Sequence, residues 1–508
     1  MNMPMAMLLT DGYKTGHPMQ YPDDLDFIYA TWTPRCTRIP GINDVGTVGM
    51  QLFFKHYLID YFNENFFKLP KAFVLREYNR VLVNYRGKDY LPVEQLEKLH
   101  DLGYLPLKFM AVPEGSTVKV RTPIMAWFNT VKGFGWVVNY IETLLSDELW
   151  YPMTNCTQAI GFKRLLRHFA DLTVGPDYDI DGQVKIPNYN NLNSIVGFQG
   201  HDFSMRGMCG WWAAAVSSIG HLSAFTGTET IPSLWLIDKY YNGNIENEFV
   251  AGTIPATEHS VMCSYGKENE KQCFEELFKI YKTGAVSVVS DTWDFWKNIT
   301  ETIPSLKGML MSRDGKLVVR PDSGDPVKIV SGDPEAREEC VRKGAIECLY
   351  DTFGGHLSNK GYKILDPHIG LIYGDAITWT RCKEICQNLM NKGIASTNMV
   401  FGIGSYTYQY ITRDTFGFAV KSTLCSRGGK EMALFKDPKT DTGVKKSQKG
   451  AVVVFADGTY KDGFTLSGSL NHPDNVMKPV FEDGKLLKDY TFAEIRKNVD
   501  QSNFTIDL

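Results

Sequence analysis

The 508-residue chain has no apolar run of about 18 residues, the length a helix needs to cross a bilayer. Its opening stretch, MNMPMAMLLTDGYKTGH, has neither a basic patch nor a sustained apolar segment, so no secretory signal is expected there. The ten cysteines (Cys36, Cys156, Cys209, Cys263, Cys273, Cys340, Cys348, Cys382, Cys386 and Cys425) include no CxxC pair and no Cys/His run at zinc spacing. They read as reduced thiols, neither a disulfide frame nor a zinc site. Neither sign of charge dominates. With 54 basic and 58 acidic residues intermixed, the net charge is -4, which argues against nucleic acid or an anionic membrane as the main partner. Pro/Ser-rich linkers, low-complexity tracts and internal repeats are missing too. These absences leave a globular protein, expected in the reducing cytoplasm, whose length favours two domains.

What is present is a theme repeated through the middle of the chain. A short apolar, β-branched run ends in a polar residue, and a helical-looking segment follows. The runs are SIVGFQGHDF (194–203), AVSVVSD (285–291), LVVRPDSGDP (317–326), IGLIYGD (369–375) and MVFGIGS (399–405), with GTETIPSLWL and AGTIPATEHS as further strand candidates. Between them, GFKRLLRHFADL, EKQCFEELFKIYK and TRCKEICQNLMNKG carry apolar residues at helical spacing. Alternating strand and helix implies an α/β fold with a parallel sheet, closed as an irregular β/α barrel or open and doubly wound. In either case the functional groups belong at the strands' C-terminal ends, where His201, Asp202, Asp291, Arg320, Asp322 and Asp375 fall. The flanks read differently. Residues 1–150 and 416–508 hold short strands and turn signals (GKDY, FADGTYKDG, FEDGKLLKD), which suits a second, α+β domain built from both chain ends around a barrel domain at 151–415.

Several strand ends could carry chemistry. In Arg320-Pro-Asp322-Ser-Gly-Asp-Pro, two residues spaced by two point the same way, and Gly and Pro then force a turn. The planar guanidinium suits phosphate and the carboxylate suits a sugar diol, although a plain strand-end ion pair reads the same. Glu258-His259 places an imidazole that can move protons or accept a phosphoryl group. Gly402-Ile-Gly404-Ser405 offers backbone N–H groups to an anion but lacks the third glycine of a dinucleotide fingerprint. Arg413, Lys421, Lys436, Lys445 and Lys446 are either a solvated face or a pyrophosphate or nucleotide site. Tyr13 and Phe203 could stack on a flat heterocycle, or pack a core.

Taken in order, LLTDGYKTGHPMQYP (8–22), HDFSMRG (201–207), IPATEHSV (254–261), VSVVSDTWD (286–294), VRPDSGDP (319–326), YGDAI (373–377), FGIGS (401–405), ITRD (411–414), KSQKG (446–450) and FAEIRKN (492–498) resemble the nicotinamide phosphoribosyltransferase family over nearly the whole chain. The resemblance implies a dimer that joins nicotinamide to phosphoribosyl pyrophosphate in NAD salvage. Phe203 and a Tyr13 from the second subunit would sandwich the pyridine. Arg206 and Arg320 would contact the ligand, Asp322 and Asp375 the ribose hydroxyls, and Gly404 with Ser405 the 5′-phosphate. Arg35, Arg413, Lys421, Lys436 and Lys445 match positions that hold pyrophosphate or ATP phosphates. His259 matches a histidine phosphorylated by ATP, with Glu258 and Asp294 as its orienting partners and Mg²⁺ as cofactor.

Three departures stand out. Glu229 occupies the position of an aspartate that binds the nicotinamide amide, one methylene longer. Ser405-Tyr406 replaces a more glycine-rich loop, and DYDIDGQVKIPNYNN (177–191) has no functional account. The rival readings are a nicotinate phosphoribosyltransferase, a barrel phosphohydrolase or isomerase using Asp322 and His259, and a non-catalytic ligand-binding dimer on the same scaffold. Glu229 speaks against the first by repelling a carboxylate.

Overall fold

A computed structural model describes residues 3–88, 91–175, 192–435 and 448–507. The chain forms two compact units, one from Met1–Thr157, Trp235–Asn244 and Thr412–Asp507, the other from Gln158–Leu234 and Ile245–Ile411.

The second unit carries six parallel strands: β1 (Gly200–Asp202), β2 (Gly227–Thr228), β3 (Thr283–Val289), β4 (Asp314–Arg320), β5 (Ile369–Tyr373) and β6 (Met399–Ile403). Their order is β2-β1-β6-β5-β4-β3. Both edge strands then bridge one stretch of chain, for Gly252 pairs with Gly227 and Ala256 with Ser287. The backbone bonds Thr257 N to Ser287 O (3.0 Å), Ser287 N to Pro255 O (2.8 Å) and Thr228 N to Gly252 O (3.2 Å) hold it there. The sheet therefore closes as an irregular barrel and is not an open doubly wound sheet. Its closing segment cannot be a regular strand, since Pro255 has no N–H to give a ladder.

Outside the barrel, helix Trp379–Asn391 illustrates why the intervening segments are helical. Cys382, Ile385, Cys386 and Leu389 recur at three and four and are buried, and the Thr378 hydroxyl accepts from Arg381 N at 3.3 Å to cap the first turn. Each such buried aliphatic side chain contributes about 1.5–3 kcal/mol.

Three expected strands are largely something else. Residues Leu192–Gln199 are helical and only Gly200–Asp202 is strand, because a short, continuously apolar run has no period that separates helix from buried strand. GTETIPSLWL yields a two-residue strand and then helix Pro232–Tyr241, with proline at the first helical position, where its missing N–H costs nothing. AGTIPATEHS is the bridging segment, and His259 opens helix His259–Tyr265.

The first unit is built on a seven-stranded antiparallel sheet in the order Lys430–Ala433, Ala419–Arg427, Leu25–Thr33, Met125–Asn129, Leu107–Ala111, Lys478–Glu482 and Lys485–Leu486. Both chain ends contribute to it. The last two strands form the hairpin that FEDGKLLKD announces, with Asp483 (φ 49°) and Gly484 (φ 78°) both in the left-handed region that a two-residue turn needs. Of GKDY, only Gly87 and Lys88 are described, just past helix Lys71–Arg86. No described helix is long and apolar enough to cross a membrane.

A buried carboxylate organises this unit. Glu114 accepts from Gly49 N (2.7 Å), Gln51 N (2.8 Å) and the Tyr241 hydroxyl (2.8 Å). Burial nevertheless pushes its carboxyl up from 4.5 to about 7. The folded state therefore holds a proton that the unfolded chain releases. This contribution to stability is complete below the unfolded value and is lost as pH rises towards about 7. Glu114→Gln should flatten the fall in unfolding temperature between about pH 5 and 7, as scanning calorimetry of both proteins at the two pH values would read.

Candidate active site

The barrel's functional side chains arise from the strand ends. At the end of β1, Asp202 is fully buried. It accepts from Ser204 N (3.0 Å), the Ser204 hydroxyl (2.6 Å) and the hydroxyls of Thr228 (3.0 Å) and Thr230 (2.9 Å). Burial raises its carboxyl, but the nearby His221 charge and the Ser204 hydrogen bonds outweigh that and hold it below the ordinary value. Its backbone oxygen takes Glu229 N at 2.9 Å. Asp202 thus fixes the residues on either side of the β1–β2 gap.

Phe203 follows at once, its N–H bonded to Ile403 O at 3.0 Å. Its ring lies against Gly374 and Gly402, where any Cβ would overlap it, and packs edge-on to His201 at 5.1 Å. These glycines make room for the aromatic plane.

Glu229 points into the same cavity, a space of about 150 Å³ also lined by His201, Phe203, Thr253, Lys316 and Arg320. Its Oε1 lies 3.0 Å from His201 Nε2 and accepts the Thr253 hydroxyl. Burial raises the Glu229 carboxyl, yet the hydrogen bonds from His201 and Thr253 and the charge of Arg320 bring it below its ordinary value. Arg320 ends β4. Its guanidinium donates to Thr257 O, and burial lowers its proton affinity while Asp322, Glu229 and Asp291 oppose the loss. Arg206, exposed in the turn after Phe203, adds positive charge near it.

The Arg320-Pro-Asp-Ser-Gly-Asp-Pro turn is held from three directions. Asp322 N (2.9 Å) and the Ser323 hydroxyl (2.5 Å) donate to Asp291 Oδ2, the Tyr373 hydroxyl donates to Gly324 O (2.9 Å), and Asp325 caps the next helix through Val327 N (2.9 Å). Asp291 Oδ1 is buried and makes no hydrogen bond among the described residues; it lies 3.9 Å from His259 Nε2, with Asp322 Oδ2 4.0 Å from the same nitrogen. His259 Nδ1 meets the Thr292 hydroxyl at 3.1 Å.

Glu258 instead accepts from the Ser260 hydroxyl, and Asp294 caps the following helical turn through Lys297 N at 3.0 Å. Neither shares a hydrogen bond or ion pair with His259, so the groups that surround this imidazole are Asp291, Thr292 and Asp322. Sequence reasoning missed Asp291 in that role. The available signal was its place two residues past the end of β3, as Asp322 lies two residues past Arg320 one strand over, since Val289 pairs with Arg320.

The remaining predicted residues are distributed as follows. Asp375 is exposed just past β5, and its charge, after burial, helps push the Tyr373 hydroxyl up. Gly404 precedes the short helix Ser405–Tyr408, and the Ser405 hydroxyl lies where a Cβ on Gly207 would be. Tyr13, Arg35, Arg413 and Lys421 belong to the other unit. Tyr13 is 60 % exposed with Lys14 Nζ 5.3 Å from its ring, Arg35 Nε donates to Gly417 O at 2.8 Å, Arg413 is 3.8 Å from Asp414, and Lys421 sits on strand Ala419–Arg427. Lys436, Lys445 and the 177–191 segment lie outside the described residues.

A closed α/β barrel with Arg, Asp, Glu and His converging at the C-terminal ends of its strands defines an enzyme built to hold a polar, phosphorylated small molecule. The profile of the nicotinate phosphoribosyltransferase (NAPRTase) family matches residues 198–485, and the chain belongs to that family. A protein of Acinetobacter baylyi named nicotinamide phosphoribosyltransferase is 43% identical, covering 97% of this chain and 96% of its own. A Xanthomonas campestris protein of the same name is 30% identical over 97% and 98%. Among solved structures, the nicotinate-nucleotide pyrophosphorylase of Pyrococcus furiosus superposes with a TM-score of 0.56 at 16% identity, covering 98% of this chain and 95% of the other, a likeness of fold.

Gly402→Ala should displace the Phe203 ring. Overpacking of this kind costs about 1–3 kcal/mol, so the expected outcome is a KM for the aromatic substrate raised roughly tenfold, read by steady-state kinetics on the folded variant.

Proposed function

We propose that this enzyme is a nicotinamide phosphoribosyltransferase, forming nicotinamide mononucleotide and pyrophosphate from nicotinamide and phosphoribosyl pyrophosphate in NAD salvage. The observation that carries the choice of the amide is Glu229. An ionised carboxylate beside an aromatic ring and Arg320 accepts a carboxamide N–H and repels the carboxylate of nicotinate. The name carried by the Acinetobacter and Xanthomonas relatives supports the same reading.

The pyridine nitrogen brings its own lone pair, so no general base is needed; the barrier lies in separating pyrophosphate from C1 as oxocarbenium character develops. Phe203 and Glu229 orient the ring, Asp322 and Asp375 hold the ribose hydroxyls, and Gly404 with Ser405 takes the 5′-phosphate. Arg206 and Arg320 hold the ligand from the cationic side, and Arg35, Arg413, Lys421, Lys436 and Lys445 bind pyrophosphate or ATP phosphates. Asp291 and Asp322 would hold Mg²⁺, an ion that one or two carboxylates suffice to bind; Oδ1 of Asp291, buried and without a hydrogen bond among the described residues, is the observation in favour. When bound, the ion neutralises the leaving pyrophosphate.

ATP hydrolysis is coupled through a phosphorylated His259. In support, Nε2 is free of hydrogen bonds among the described residues and the side chain is 48% exposed, while Thr292 fixes Nδ1. The enzyme works as a homodimer in which Tyr13 of one copy completes the aromatic sandwich of the other. Exposed Tyr13 in one unit, and Trp211, Tyr406 and Tyr410 in the other, leave apolar surface for such a partner. A cytoplasmic setting suits ten cysteines that form no disulfide among the described residues.

Product formation measured with nicotinamide and nicotinate side by side should favour the amide by a hundredfold or more in kcat/KM, on the order expected when a buried polar group is left unpaired. Equal use of the acid and the amide would point to the nicotinate enzyme instead. His259→Ala should abolish ATP hydrolysis and leave slow nucleotide synthesis. An unchanged ATPase rate in that variant would remove the phosphohistidine.

A further inference from the structure

Glu229 presents a mechanical problem. A glutamate carboxylate swings on three torsions, and an untethered one loses more rotamer freedom on ligand binding than a shorter aspartate would. Here both protein contacts to the carboxylate fall on one oxygen. Oε1 meets His201 Nε2 at 3.0 Å and accepts the Thr253 hydroxyl, whereas Oε2 makes no hydrogen bond among the described residues. The two tethers come from different parts of the barrel. His201 is buried at the end of β1, its Nδ1 backed against Gly227, while Thr253 sits on the irregular segment that closes the ring and is itself exposed to the cavity.

We propose that Thr253 is a positioning residue that, with His201, locks Oε1 and so aims Oε2 at the carboxamide N–H of the substrate, setting the preference for amide over acid. This rests on the nicotinamide reading given above. The closing segment contributes no regular strand, but it delivers the hydroxyl that holds a carboxylate one methylene longer in a single orientation. The same tether lowers the proton affinity of Glu229, which keeps the negative charge that excludes nicotinate.

The experiment is steady-state kinetics of the full-length enzyme and of Thr253→Val, Thr253→Ser, Glu229→Asp and the Glu229→Asp/Thr253→Val double variant, with nicotinamide as substrate and nicotinate as competitor. Thr253→Val keeps the shape but removes the hydroxyl. It should raise the KM for nicotinamide about tenfold, leave kcat within about threefold and weaken discrimination against nicotinate, whereas Thr253→Ser should restore both. With Glu229→Asp the shorter side chain no longer reaches Thr253, so adding Thr253→Val should change KM by less than about twofold. A Thr253→Val enzyme whose KM and amide preference match the parent within twofold overturns the proposal, as does an equal effect of Thr253→Val in both backgrounds. Loss of the nicotinamide reading itself would appear separately, as a parent enzyme that uses nicotinate at least as well as nicotinamide.

Discussion

A carboxylate with no access to water sits at the centre of the barrel unit's functional end. Asp202 is tolerated there because Ser204, Thr228 and Thr230 supply the hydrogen bonds that water would otherwise give. Strand β2 is only two residues long, too short to register itself by ladder bonds. The side chain of Asp202 sets its register by binding two threonines of the β2 segment, and its backbone oxygen takes Glu229 N. The aromatic platform Phe203 and the acceptor Glu229 therefore keep their relative positions through one buried charge.

Around this fixed pair the barrel mixes cations and carboxylates without neutralising them in simple couples. Arg320 gives a hydrogen bond to a backbone oxygen, and burial lowers its proton affinity even with three carboxylates near enough to oppose the loss. Asp291 holds the Asp322 turn with one oxygen, while the other makes no hydrogen bond among the described residues. His259 stands about 4 Å from two carboxylates, outside hydrogen-bond range. A site with its charges only partly satisfied is arranged for a charged substrate to complete.

The irregular closure of the barrel also follows from elementary constraints. Pro255 denies the closing stretch a regular ladder, so the ring is joined by isolated bridges at Gly252 and Ala256. The chain between and beyond these bridges is free to turn polar groups inward: the Thr253 hydroxyl to Glu229, and the carbonyl of Thr257 to Arg320.

From the residues alone, alternation of β-branched runs with amphipathic helices determined an α/β barrel-like core, while short strands and turn signals at the two chain ends read as an α+β module. Arg320 and Asp322 stood out because local spacing and turn chemistry place them at a strand end, and His259 because it follows an apparent strand that folds instead as the bridging segment before a helix. Periodicity fails where runs are short and apolar on every side, which is why 194–199 reads as strand yet folds as helix. Only the tertiary structure decided the closure through 252–257, the grouping of Asp291 and Thr292, and not Glu258 or Asp294, around His259, and the double tether on Glu229. Each of these joins residues about 20 or more positions apart or separated by a turn whose direction packing sets, and sequence spacing carries no record of such distances.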